Sequence, residues 1–179
     1  MDAVYAPRED SKLLAEQVEK YAHGNVLDMG TGSGIQAVVA ARKKEVKNIL
    51  AADINPLAIE EAKKKIINKK IKWVISDLFR NVGGMFDTII FNPPYLPEDI
   101  RVKDLALDGG KKGYEIIERF LNSVNRFLKP KGIILLVFSS LTKREKVDSF
   151  IKKNNLKYKL LATKHIFFED MYVYRIGRE

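Results

Sequence analysis

The sequence predicts an α/β fold built on a doubly wound, mostly parallel sheet, and three observations carry that prediction. Short β-rich runs alternate with helical stretches from residue 9 to residue 154, and strands separated by helices pair in parallel with helices on both faces. A glycine-rich turn follows the first β-rich run directly, where such sheets bind ligands. The chain then closes on two strand-like runs joined by a short turn, which adds an antiparallel pair.

Residues 9–22 (EDSKLLAEQVEKYA) space Leu13, Leu14, Val18 and Tyr21 as the apolar stripe of a helix, with Gly24 as its stop. NVLDM (25–29) is the first strand, and the turn from Gly30 to Gly34 opens a helix over 35–44. NILAAD (48–53) is the second strand. Asn55 caps the next helix, with Pro56 at its first position, where a missing N–H does no harm. IKWVIS (71–76) and FDTIIFN (86–92) are the third and fourth strands, and a long connection (93–112) leads to a helix over 113–128. Pro130 and Gly132 punctuate a turn into GIILLVFS (132–139), and Thr142 with Glu145 forms a capping box for a helix at 143–154. Strands near 157–165 and 170–176 finish the chain. The expected architecture is a Rossmann-like, doubly wound seven-stranded sheet with an antiparallel C-terminal strand.

The 179 residues suffice for one domain, residues 1–179, in which residues 1–24 are expected to form an N-terminal segment and helix covering the ligand site at the strand ends. The absence of cysteine excludes disulfides and Cys-ligated metals, and the isolated His23 and His165 lack metal-ligand spacing. No apolar run is long enough to span a membrane, and the polar start MDAVYAPREDS does not read as an export signal, so a cytoplasmic protein is expected. The net charge of +9 admits a nucleic-acid partner. The densest basic cluster is Lys63, Lys64, Lys65, Lys69, Lys70 and Lys72. Most of it shares a helix with Glu60 and Glu61 and reads as a solvated outer face.

The turn after the first strand reads Asp28-Met29-Gly30-Thr31-Gly32-Ser33-Gly34. A dinucleotide fingerprint needs its third glycine where Ile35 stands, so NAD is disfavoured. Gly30 and Gly32 still allow close backbone approach. Asp28 would repel a pyrophosphate and suits a cationic ligand carrying amino and sulfonium groups. Asp53 ends the second strand, where a carboxylate accepts both ribose hydroxyls. Asp77 follows the third strand and is placed to accept adenine N6 hydrogens, with Leu78 against the ring. Three acids at three successive strand ends point to S-adenosylmethionine, and so to the class I S-adenosylmethionine-dependent methyltransferase version of the doubly wound fold.

Asn92-Pro93-Pro94-Tyr95 lies just past the fourth strand. The nitrogen of an amide or exocyclic amine has a delocalised lone pair and must be held with that lone pair facing the methyl group. The Asn92 side-chain oxygen accepts one N–H and the Pro93 carbonyl the other. Proline keeps Asn92 extended and so presets both acceptors. Tyr95 packs against the planar acceptor, and its ring favours the cationic methylsulfonium. Catalysis then rests on orientation and electrostatics.

With these residues the chain resembles the HemK-related protein-(glutamine-N5) methyltransferases, in the short archaeal and eukaryotic form that modifies the Gly-Gly-Gln glutamine of class I release factors. The motifs are Tyr5-Ala6-Pro7-Arg8-Glu9-Asp10-Ser11 with Leu13-Leu14, the Asp28–Gly34 turn, Asp53-Ile54-Asn55-Pro56, Ser76-Asp77-Leu78, Asn92–Tyr95 and Ala106–Gly113. The resemblance implies that Ser11, where the family usually has Thr, touches the amino-acid end of the cofactor. It also implies that Pro7, Asn92, Pro93, Pro94 and Tyr95 face the substrate. Asp28 stands where the family often has Glu, and Lys112 where an acid or amide frequently precedes the glycine. About 24 residues precede the first strand, too few for the N-terminal recognition domain of bacterial relatives. The short form works with a small zinc-binding activator subunit, and the apolar third strand 71–76, holding the only Trp, is expected at a sheet edge where such a subunit would add a strand. The alternative for Trp73 is simple packing under the Lys-rich helix. Two rival functions remain at this stage: an RNA or DNA amino-methyltransferase acting on adenine N6 or guanine N2, and a non-catalytic scaffold of the same fold.

Overall fold

The computed structural model describes residues 7–94 and 112–178. Its elements are α1 (Glu9–Tyr21), β1 (Gly24–Met29), α2 (Ile35–Ala41), β2 (Val46–Asp53), α3 (Pro56–Lys65), β3 (Ile71–Ile75), β4 (Phe86–Phe91), α4 (Glu115–Val124), β5 (Leu128–Ser139), α5 (Arg144–Lys153), β6 (Lys157–Ile166) and β7 (Glu169–Gly177). They form a seven-stranded sheet in the order β3-β2-β1-β4-β5-β7-β6. β1 to β5 run parallel, and β7 pairs antiparallel with both β5 and β6. The order reverses beside β1, so the crevice at the ends of β1 and β4 is the ligand-binding position of the fold.

Alternation along the strands builds two cores. Leu27, Met29, Ile89, Phe91, Ile134, Leu136 and Phe138 face α4 and α5, where Ile117, Phe120, Leu121, Val147 and Ile151 meet them. Val26, Ile49, Ala51, Ile90, Leu135 and Val137 face α1 and α2, against Leu13, Leu14, Val18, Ala37 and Ala40. The first core is aromatic; Phe79 stacks on Phe127 at 4.4 Å and on Phe120 at 5.3 Å. Small alanines on α2 let that helix sit close to the sheet, which fixes the start of α2 relative to β1.

Several boundaries differ from the sequence pattern for identifiable reasons. Helix α1 is closed by Ala22, whose N–H bonds the Val18 carbonyl; Gly24 instead starts β1 and donates its N–H to Glu45. Helix α2 stops at Ala41 because Lys70 Nζ takes the carbonyls of Ala41 and Lys43 at 3.1 and 2.8 Å. The end of α4 is drawn away to the sheet: the Phe127 carbonyl accepts from Phe86 N–H, and Leu128 already pairs with Phe86. Pro130 lies inside β5, where the register with β4 shifts, a bulge in which its missing N–H breaks no ladder bond. The capping box does not form. Thr142 Oγ1 donates to the Ser139 carbonyl, and Lys143, at φ 57°, precedes α5 without a side-chain cap. By contrast Asn55 accepts from Leu57 N–H at 2.9 Å with Pro56 at the first position of α3, as its sequence requires.

Of the basic cluster, Lys63, Lys64, Lys65, Lys69 and Lys72 are exposed, Lys65 pairs with Glu61, and Lys70 closes α2. It is a solvated face. Among the described residues no helix is long and apolar enough to cross a membrane, and no cluster of His and acidic side chains could hold a metal.

Candidate active site

Strands β1 and β4 pair with Met29 beside Phe91, so the residues that follow them, Gly30 and Asn92, emerge side by side. A Cβ on Gly30 would lie 3.7 Å from the Asn92 carbonyl oxygen, which places the glycine turn against the Asn92-Pro93-Pro94 segment. Gly30, Gly32 and Gly34 hold φ of 62°, 51° and 81°, values that favour glycine. At Gly34 a Cβ would also meet Ile66 at 2.5 Å and the Trp73 ring at 3.0 Å. Nothing lies within 4 Å of a Cβ built on Gly32, so this side of the turn is open.

The three acids occupy three different environments. Asp28 is 1 % exposed, and its Oδ2 accepts from Thr31 Oγ1 at 2.6 Å and Ala37 N–H at 3.0 Å. It ties the turn to an otherwise orphaned donor of the first turn of α2. Burial pushes its carboxyl up to about 7, against those two hydrogen bonds. Asp53 Oδ2 accepts from Gly32 N–H at 2.7 Å and Oδ1 from Asn55 N–H at 2.9 Å, and burial raises this carboxyl as well. With the Ile54 N–H as a third backbone donor, the carboxylate still keeps acceptor capacity. Asp77 is the most exposed of the three and pairs with Arg119 at 2.8 Å, an interaction that solvent screening keeps weak. Leu78 sits at φ 46°, and Ser76 Oγ pins its carbonyl at 2.6 Å while accepting Asn81 N–H at 2.9 Å. A left-handed, non-glycine residue held in place at a strand end is a frequent mark of a ligand contact.

Asn92 is held from a distant element. Its Nδ2 donates to Asp10 Oδ2 at 3.0 Å and contacts Ser11 Oγ at 3.3 Å, both in the first turn of α1. Its Oδ1 is buried and has no hydrogen-bond partner among the described residues. Gln36 behaves alike: Nε2 donates to the Ser11 carbonyl at 2.9 Å, while its buried Oε1 is unpaired among the same residues. Pro93 is buried, Pro94 half-buried and Pro7 exposed. Tyr95 and the Ala106–Lys111 stretch lie outside the described residues.

The structure therefore gathers Ser11, Asp28, Gly30, Gly32, Asp53 and Asn92 around one crevice, with Asp77 and Leu78 at the end of the neighbouring strand β3. These groups fit a ligand with a cationic head, a diol and a planar base. The open glycine turn leaves room, the raised carboxyls gain from a nearby cation, and an unused acceptor stands ready. Sequence reasoning missed Asp10 and Gln36. Asp10 had a signal, lying one position before Ser11 in the same motif; Gln36 had none beyond its place in the first turn of α2.

A family model for the methyltransferase small domain matches residues 8–168. The chain belongs to that family. A Methanocaldococcus jannaschii protein assigned as a protein N5-glutamine methyltransferase is 39% identical over 98% of this chain and 92% of its own length. A release factor glutamine methyltransferase of Koribacter versatilis is 35% identical over 75% of this chain, which spans only 54% of that enzyme. Among solved structures, this methyltransferase superposes on a chain of the E. cuniculi Mtq2–Trm112 complex, responsible for methylation of the eRF1 translation termination factor. The TM-score is 0.79 with 24% identity over 100% of both chains, a likeness of fold.

Proposed function

We propose that this methyltransferase transfers a methyl group from S-adenosylmethionine to the side-chain amide nitrogen of a glutamine in a protein, the Gly-Gly-Gln glutamine of a class I release factor. The observation that carries the reading is the buried Oδ1 of Asn92 beside the glycine turn, unpartnered among the described residues. An unpaired buried acceptor costs about 1–3 kcal/mol. A non-catalytic scaffold has no use for that cost, whereas an enzyme recovers it when substrate binds. The similarity, over 98% of this chain, to a protein named "Putative protein N5-glutamine methyltransferase" favours an amide over a nucleobase amine.

In this reading Asp28 and Ser11 receive the amino-acid end of the cofactor, Gly30 and Gly32 admit its backbone-close passage, Asp53 accepts the ribose hydroxyls, and Asp77 with Leu78 frames the adenine. The cofactor supplies an electrophilic methyl on a sulfonium. Asn92 Oδ1 accepts one hydrogen of the substrate amide and the Pro93 carbonyl the other, turning the nitrogen lone pair towards that methyl. Pro7, Pro94 and Tyr95 border the substrate. The amide nitrogen that takes the methyl would give up one proton to solvent, which balances the positive charge the sulfonium brings. Such work belongs in the cytoplasm, where translation ends.

A small activator subunit, zinc-binding in the family resemblance, is proposed on the free edge of β3. The observation favouring it is the position of β3 at the end of the sheet. Transfer of labelled methyl to a recombinant release factor, alone and with its Gly-Gly-Gln glutamine replaced by alanine, tests the function. Label on the intact protein only is expected; equal label on both, or transfer to RNA alone, overturns it.

A further inference from the structure

We propose that Asp10 is a positioning residue that selects which end of the Asn92 amide faces the substrate; the inference rests on the methyl-transfer reading above. The two ends of an asparagine amide are nearly the same size, and only their chemistry differs. With the oxygen turned to the site, Asn92 holds a substrate NH2. With the nitrogen turned there, donor faces donor and the substrate is refused. Strand β4 and Pro93 fix where the Asn92 side chain starts but not which way its amide turns.

The choice is made by α1. Asp10 Oδ2 lies 3.0 Å from Asn92 Nδ2, and a carboxylate accepts without donating. Turning the amide over would set its oxygen against that carboxylate, two acceptors at hydrogen-bond distance. Ser11 Oγ, 3.3 Å away, can donate or accept and so does not discriminate. Asp10 is itself immobilised: it is 3 % exposed, and its other oxygen accepts Ser11 N–H at 2.6 Å. Its helix is anchored by the fully buried Leu14 and Val18. One oxygen thus accepts within α1 while the other accepts from Asn92, a charge-assisted bond stronger than a neutral one.

A residue that merely stabilises the start of α1 would affect folding and nothing else. The positioning role predicts a rescue by exchange of polarity. Asp10→Asn leaves Asn92 free to turn, so kcat on the release factor should fall roughly ten-fold or more, with KM and calorimetric affinity for S-adenosylmethionine within about three-fold of wild type. Asn92→Asp sets two carboxylates face to face and should also lose turnover. In the double variant D10N/N92D the two groups trade places. The amide now on α1 donates to the carboxylate now following β4, whose second oxygen again faces the substrate, and kcat should exceed that of either single variant. An unchanged kcat for D10N, or a double variant no better than the singles, overturns the proposal. Asn92→Ala keeps it separate from the underlying reading: turnover by N92A sinks the function, whereas inactive N92A with fully active D10N sinks only the role of Asp10. Should D10N fail to fold, hydrogen exchange of the Asn92 side-chain NH2 in the wild-type protein reads the same contact. Protection supports it, and exchange at the rate of a free amide overturns it.

Discussion

The two halves of the crevice solve the problem of a buried polar group in opposite ways. In the half built by β1 and β2, the carboxylates of Asp28 and Asp53 already accept hydrogen bonds from their own backbone or from Thr31. In the half built by β4 and α1, the Asn92 oxygen accepts nothing from the described residues. The difference follows from charge. A bare carboxylate out of water costs far more than a bare amide oxygen, so the charged side must be satisfied before any ligand arrives. The neutral side tolerates a vacant acceptor at a cost of about 1–3 kcal/mol. Binding of a cation is thus favoured by a preformed field, and orientation of the acceptor is left to one open valence.

The strongest challenge to this division is Asn92→Ala. Losing the orienting acceptor should raise the barrier by about 3 kcal/mol or more, while calorimetry finds cofactor affinity nearly unchanged. Near-normal turnover would mean that the open valence is not the working one. Asp53→Ala attacks the other half. The ribose hydroxyls lose a charged acceptor, a contact of roughly 1.5–3 kcal/mol, and S-adenosylmethionine should bind correspondingly more weakly. An unchanged dissociation constant would move the ribose elsewhere.

Asp28 sharpens the comparison through pH. Its folded pKa of about 7 lies above that of the unfolded chain, because burial disfavours the anion. The folded state therefore holds the proton more tightly. Its contribution to stability is complete below about pH 4 and is lost as pH rises through 7, at no more than about 1.4 kcal/mol per pH unit. Asp28→Asn keeps an acceptor for Thr31 and Ala37 but cannot titrate. Denaturant unfolding between pH 5 and 7 should show wild type losing stability relative to D28N. Parallel curves for the two proteins would place the proton elsewhere.

How much of this was legible in the sequence depends on how local the cause is. The succession of strands and helices along the chain, the Asn55–Pro56 helix start and the three acids at strand ends follow from patterns a few residues long. The bond from Asp10 to Asn92 spans 82 positions, and no local pattern announces that a motif at the first helix steers one after the fourth strand. Helix ends failed for the same reason: Lys70 closing α2 and Phe127 leaving α4 are tertiary contacts. The Thr142 capping box had the right spacing, but its hydroxyl was claimed by the Ser139 carbonyl.

The smallest effect on the chain itself is expected far from both halves, at the sheet edges, where the same contrast of satisfied and open groups recurs. The outer edge strand β6 carries exposed Lys157, Lys159 and Lys164 and a register shift between Leu160 and Ala162, all of which deter strand addition. The opposite edge, β3, has Lys72 as its single charge and no bulge in its pairing with β2. Trp73 is half-buried against the α2 side of the sheet, close to Gly34 beside Ile66, so the ring has an intramolecular role. Along the outer edge Asn81 Nδ2 donates to the Ile75 carbonyl at 2.9 Å and the Asn68 carbonyl accepts the Ile71 N–H, so the open stretch centres on the Trp73 main chain beside the 49 % exposed Ile75 side chain. Strand addition by a partner would use those main-chain groups, with side-chain pockets setting specificity. Val74→Lys introduces the kind of charge that blunts β6. Its stem can lie along the half-buried site while the ammonium reaches water, so unfolding free energy should change by only about 1 kcal/mol and cofactor affinity should hold. Co-purification of the partner subunit should nevertheless be lost. A complex that survives the lysine excludes β3 as its seat, and with it the use of the unblunted edge.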